Sequence, residues 1–295
     1  GSGGAPLFSI SRGQKRNKPA VHIMNTSFTM VCFSAVVLML IGLLFARPLL
    51  VLFGASKDAL VYAFPYMMIY LIGTLPSMIA IGSDHAQGYS TIGMFSVAIG
   101  AVANLLLDPF FIFVLGFGVR GAAIATVISQ CLSASFVLFF LTKKAELKVR
   151  FLHKNELSES LGYAKNIISL GTAGFIMQLT NSLVTICCNN VLSVTGGDIY
   201  ISVMTIVSSV RQLVETPIYA MNEGGSPILS YNYGARRPAR VRKAMIVISA
   251  MILCYTAVMW SVIIFAPGAL IRVFSSDPSL VKDSIPALNQ YFAAF

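Results

Sequence analysis

Apolar residues in this chain run in long unbroken blocks rather than alternating with polar ones. Seven stretches, approximately 24–45, 60–82, 91–115, 119–141, 166–192, 199–221 and 244–265, can be read along the chain. Each is near the roughly 20 residues a helix needs to cross a bilayer. An eighth opens near Ile285. Period-two alternation is absent and each block is about twice the length of a barrel strand, so the pattern predicts spanning helices rather than a barrel. Composition agrees: with 56% hydrophobic and 11% charged residues and a mean hydropathy of +0.79, the chain holds more apolar surface than one soluble core can bury. The predicted fold class is an all-α integral membrane protein.

The polar punctuation between the blocks carries a repeat. Residues 3–13 read GGAPLFSISRG and residues 224–234 read GGSPILSYNYG, an offset of 221. The register continues without a gap through Lys15/Arg236, Arg16/Arg237, Met30/Met251, Val37/Val258, Leu49/Leu270, Phe53/Phe274 and Tyr70/Tyr291. In a hydrophobic chain such a duplication marks a secondary transporter with its substrate path between the halves. Six apolar blocks separate the two copies. That number is even, so both motifs, read as loops, face one side and the repeats are parallel. The predicted division is 1–142 for the first lobe, 143–165 for a linker and 166–295 for the start of the second lobe. On this reading a whole protein has roughly 440 residues, with roughly 60 before Gly1 and roughly 100 after Phe295.

Charge sets the expected orientation. Residues 12–18 hold four Lys or Arg, 143–165 hold six and 236–243 hold five, which places 15 of the 21 basic residues on one side. By the positive-inside rule that side is cytoplasmic, and topology accounts for the net charge of +10. The basic clusters are short, flank apolar blocks and lack interleaved aromatics, so no nucleic-acid partner is expected. The linker, with three acids among its bases and His153, reads as a solvated tether. Cys32, Cys131, Cys187, Cys188 and Cys254 lie in apolar blocks without Cys-x-x-Cys spacing, which argues against disulfides and a zinc site.

Two signatures carry a family resemblance. One is the run Asn104-Leu-Leu-Leu-Asp108-Pro109 followed by Gly116, Gly118 and 121–126 GAAIAT; the other joins Gly225-Ser-Pro227 to 231–236 YNYGAR. Together they resemble the multidrug and toxic compound extrusion (MATE) family over essentially the whole chain. The resemblance implies a two-lobe, parallel-repeat bundle of twelve helices, of which about helices 2 to 10 are here. It implies an antiporter in the cell membrane, multi-pass, of the bacterial inner-membrane kind. Such a protein exports cationic or amphipathic compounds in exchange for protons or sodium. It has no cofactor beyond the coupling ion and works as a monomer in the lipid bilayer.

The residues point to the same place independently. Asn104 and Asp108 lie one turn apart on one helical face, and an aspartate inside a membrane helix is costly and marks a functional site by default. The next turn centres near Phe117, with Asp108 and Thr126 each nine residues away. Antiparallel neighbours would therefore hold them at nearly equal depth. In the family, the resemblance implies, an Asn, an Asp and a Thr at these positions form a cation site with a tyrosine of the fourth helix and an aspartate of the first. Asn104, Asp108 and Thr126 match, Tyr62, Tyr66 and Tyr70 compete for the tyrosine, and the first-helix aspartate lies outside the chain. The competing reading of the trio is interhelical hydrogen bonding alone. Gly121, Ala122, Ala123 and Ala125 read as packing residues.

Arg211 and Glu215 form a second intramembrane pair at i,i+4 spacing, a self-compensating structural pair or a substrate or gate contact. The 166–192 block presents Gln178, Asn181, Asn189 and Asn190. It lacks the glutamate that some family branches carry there, and Gln178 and Asn181 remain candidate substrate contacts. His85-Ala-Gln-Gly88 stands where the family has Arg-x-x-Gly.

Rival functions separate on sequence. A lipid-linked saccharide flippase would be built on similar duplicated lobes but with a more basic cavity, for which only Arg211 is evident. An intramembrane enzyme would need a HExxH, a GxSxG with a histidine, or a paired aspartate motif inside a span, and none appears. A passive channel differs only in lacking gradient-dependent uphill transport.

Overall fold

The computed structural model describes residues 3–53, 57–87, 90–152, 156–195, 197–274 and 277–293. Among the described residues every regular element is helical and there is no strand. The helices are α1 (Gly4–Gly13), α2 (Asn17–Leu52), α3 (Lys57–Ile72), α4 (Thr74–Gln87), α5 (Ser90–Pro109), α6 (Gly118–Phe139), α7 (Leu157–Thr195), α8 (Gly197–Gly234), α9 (Pro238–Phe265), α10 (Pro267–Phe274) and α11 (Pro278–Ala293). Single π turns extend α5 through Phe110–Val114 and α6 through Phe140–Lys144. Among the described residues, five helices are long and apolar enough to span a membrane, and a bent pair, 59–72 with 74–80, makes a sixth. Their outward faces are apolar, Leu44 being 77% and Phe265 85% exposed, as lipid contact requires.

Several boundaries differ from the sequence pattern for local reasons. The block 60–82 is broken at Gly73 with a bend of 50°. Pro76 lacks the amide hydrogen that would close the turn onto Ile72, and its ring clashes with that carbonyl. Helix α2 is longer than the block 24–45 and is kinked at Phe45 (φ −109°, ψ 16°), three residues before Pro48. The predicted span 199–221 lies within α8 but is not among the spanning candidates. Arg211, Gln212, Glu215 and neighbouring Ser and Thr dilute its apolar content. The final helix starts at Pro278 rather than near Ile285, proline being well suited to a first helical turn.

The contacts divide the chain into two units: Gly1–Leu179 with Ser230–Arg236, and Thr180–Leu229 with Arg237–Phe295. The first packs around Phe8, Met24, Phe28, Val137 and Leu141. The second packs around Val207, Val210, Ile263, Ile271 and Leu288.

Both copies of the repeated motif are helical, not loops. Copy one forms α1 and copy two ends α8. Each closes on the same cap, with Lys15 at φ 60° and Arg236 at φ 54°. The cap hydrogen bonds correspond too: Gln14 N–H to Ile10 carbonyl (3.0 Å) and Ala235 N–H to Tyr231 carbonyl (2.9 Å). Within the first unit the copies cross. A Cβ on Gly13 would collide with the Tyr231 carbonyl, and one on Gly234 with the Ile10 carbonyl. The duplicated glycine thus permits backbone-to-backbone approach from both sides.

The stretch read as a solvated tether is docked instead. Arg12 pairs with Glu146 at 2.6 Å. The Arg150 N–H donates to buried Asn25 (3.0 Å), and Phe151 packs on Phe28 with ring centres 5.2 Å apart. Ala145 and Val149 join the first unit's core, and helix α7 opens before residue 165. The sequence could not show this because the anchoring partners lie more than a hundred residues upstream. His153 lies outside the described residues, as does the side chain of His85.

Candidate functional site

Helices α5 and α6 pack along one another because their shared face is small. Ala123 and Ala125 are completely buried, and Gly121 sits against the Phe111 backbone. This close approach brings three predicted side chains together. Asn104 Nδ2 donates to Asp108 Oδ1 at 3.2 Å and reaches Thr126 Oγ1 at 3.4 Å. Thr126 donates its hydroxyl to the Ala122 carbonyl at 2.9 Å. All three side chains are partly buried.

The register differs from the expected one: Thr126 faces Asn104, not Asp108. The π turn after Pro109 places extra residues in the climb from the Phe117 turn. The residue nine positions back is therefore shallower than a regular α-helix would put it. Asn104 thus bridges Asp108 and Thr126.

The structure also separates the three tyrosines. Tyr66 and Tyr70 stack with ring centres 5.8 Å apart and planes at 14°. The Tyr66 phenol lies within electrostatic reach of Asp108. Tyr62 is 65% exposed and is not part of this stack.

In the second unit Arg211 Nε donates to Glu215 Oε1 at 2.7 Å on one helix, as the i,i+4 spacing predicts. The guanidinium carbon lies 5.9 Å from the Tyr291 ring centre, a cation–π geometry. Tyr291 was missed as a site residue, although it is the repeat counterpart of Tyr70 and so could have been found from the duplication. On α7, Gln178 is exposed and Asn181 half-buried. No described hydrogen bond joins the Gln178 side chain to the Asp108 cluster. Among the described residues no group of three or more His, Cys, Asp or Glu is placed to hold a metal ion.

The fold is that of a duplicated, all-helical membrane protein with a carboxylate inside its first unit. The chain belongs to the MatE family, whose profile matches residues 1–110 and 174–292. It is 25% identical over 286 residues to the multidrug export protein MepA of Staphylococcus haemolyticus, covering 95% of this chain and 62% of that protein. It is 25% identical over 255 residues to a FAD transporter of Shewanella oneidensis, covering 82% of this chain and 54% of that one. A solved structure of the MATE multidrug transporter DinF-BH superposes with a TM-score of 0.82 at 30% identity. That match covers 97% of this chain and 64% of the other. The chain thus spans less than two thirds of each of these proteins.

Proposed function

We propose that the full-length protein is a secondary antiporter that exports cationic or amphipathic organic compounds in exchange for protons or sodium. It would act as a monomer in the bacterial inner membrane, with no resident cofactor. Its lobes would be 1–142 and a second beginning at 166, joined by 143–165. The observation that carries this reading is the Asp108–Asn104–Thr126 cluster between α5 and α6. An intramembrane carboxylate surrounded by neutral donors and acceptors can gain and lose a cation without rebuilding its surroundings. Arg211, Glu215, Gln178 and Asn181 would serve as substrate or gate contacts.

A second reading, an anionic aromatic substrate, is favoured by one feature. Arg211 is 37% exposed beside the Tyr291 ring, a pairing suited to a flat acid, and one relative is named a FAD transporter. The test is reconstitution of the full-length protein in liposomes with an imposed proton or sodium gradient. A fluorescent organic cation and a flavin nucleotide would each be followed. Uphill movement of the cation only with a gradient supports the antiporter. Gradient-independent equilibration would show a channel, and gradient-driven flavin movement alone would select the second reading.

A further inference from the structure

The helix that follows each copy of the repeated motif opens differently in the two units. In the first unit the opening of α2 is covered by protein. Ala20, Ile23 and Met24 are buried, and His22 stacks on Tyr163 with its Nε2 3.7 Å from a Glu159 carboxylate oxygen. In the second unit the opening of α9 carries Arg237, Arg240, Arg242 and Lys243, all exposed. Their repeat counterparts are Arg16, Pro19, Val21 and His22. Three of the four charges are therefore absent from the first copy, which has Lys18 as its one further base on this turn. Since the first copy opens the same helix without them, the fold does not require them. No Asp or Glu occurs between Glu223 and Asp277, and among the described residues none of the four bases forms an ion pair.

Position on the helix says what meets these charges. Helix α9 is long and apolar enough to span a membrane. Its Ile248 packs on Gly225, where an added Cβ would collide with it, and this marks the protein-facing side. The bases stand off that side. Arg242 shares a helical face with exposed Ile246 and Leu253, and Arg240 and Lys243 share one with exposed Val247. Four residues rise about 6 Å, so the charged groups stand just beyond the apolar band of the same faces. In a bilayer that is the level of the lipid phosphates.

We propose that Arg237, Arg240, Arg242 and Lys243 form a docking surface for the headgroups of anionic phospholipids in the leaflet on the basic side of the protein. A guanidinium pairs with phosphate through two parallel hydrogen bonds, and four bases at the end of a spanning helix enrich anionic lipid locally. The surface belongs to the second unit alone, and it does not depend on which compound or ion the protein moves.

The test uses the full-length protein in phosphatidylcholine nanodiscs containing phosphatidylglycerol. A fluorophore is attached to a single cysteine replacing Ala239, beside the cluster, with the other cysteines changed to serine. Quenching is compared for phosphatidylglycerol and phosphatidylcholine carrying the same shallow acyl-chain spin label. Phosphatidylglycerol should quench more at equal mole fraction, and added salt should narrow the difference. Arg240→Gln/Arg242→Gln/Lys243→Gln should lower that preference about tenfold. Lys15→Gln/Arg16→Gln/Lys18→Gln removes as much charge from the first copy and should leave it unchanged. Should the triple α9 variant fail to insert, each single glutamine variant should lower the preference about threefold. Equal quenching by the two lipids in the wild type overturns the proposal. A preference that survives the α9 substitutions, or that falls as far with the first-copy ones, does the same. So does a label that neither lipid reaches, which would show this surface covered by another part of the chain.

Discussion

The two polar sites of this chain handle buried charge in opposite ways. In the first unit the carboxylate of Asp108 forms no ion pair among the described residues. Its described partner is the neutral Asn104, which also reaches Thr126 on a different helix. In the second unit Arg211 and Glu215 neutralise each other across one turn of a single helix, with Tyr291 covering the guanidinium. A charge satisfied by its own helix is stable whatever the neighbouring helices do, and has no need of an external ion. The Asp108 carboxylate is different: its described partner on the same helix is neutral and leaves the charge uncancelled, and that partner is tied through Thr126 to a second helix, so its surroundings change when the helices move. Under the proposed function the contrast suits coupling chemistry in the first unit and, in the second, a pair that needs no external ion.

The largest expected effect tests the first half of that contrast. Asp108→Asn keeps the shape and loses the charge, so gradient-driven export by the full-length protein should be abolished while expression and insertion are retained. Export at the wild-type rate across a range of pH and sodium would leave interhelical hydrogen bonding as the trio's role. The second unit should show the reverse pattern. Arg211→Met alone leaves Glu215 without its cation and should destabilise the protein by about 1–3 kcal/mol, reduced from a fully buried pair because the guanidinium is partly exposed. The double variant Arg211→Met/Glu215→Met should recover most of that loss in a thermal-unfolding series. A double variant as unstable as the single one would show that the pair is not self-compensating.

Smaller effects sharpen the comparison. Thr126→Val removes one hydrogen-bonding group from Asn104, worth about 1 kcal/mol. It should lower export about fivefold rather than abolish it, as initial rates would show. The smallest effect belongs to Tyr291. Tyr291→Phe keeps the ring over Arg211 and should leave stability nearly unchanged, whereas Tyr291→Leu should cost about 0.5–1 kcal/mol by removing the cation–π contact. Equal melting temperatures for the phenylalanine and leucine variants would eliminate that contact as a contributor.

A separate pair of substitutions addresses the duplicated crossing. Gly13→Leu and Gly234→Leu should each reduce the yield of folded protein, because both place a side chain where a backbone carbonyl lies. Equivalent losses from the two positions are expected from their matched geometry.

Much of this protein follows from local pattern. The apolar blocks determined that the chain is helical and spans a membrane, because backbone polar groups in lipid must be paired within each segment. The 221-residue offset revealed the duplication. The four-residue spacings put Asn104 beside Asp108 and Arg211 beside Glu215, since those contacts depend only on helical geometry. Tertiary structure decided what depends on partners distant along the chain. It stacked Tyr66 on Tyr70 and left Tyr62 exposed, turned Thr126 toward Asn104, and pressed Gln130 onto Gly73. It also docked the linker on Arg12, Asn25 and Phe28, and set Gly13 against the turn of its own repeat copy. Hydrophobic periodicity records which residues leave water, but not which buried neighbours they meet. Close approach of two helices is set by the small residues of both, so it becomes visible only when both are in place.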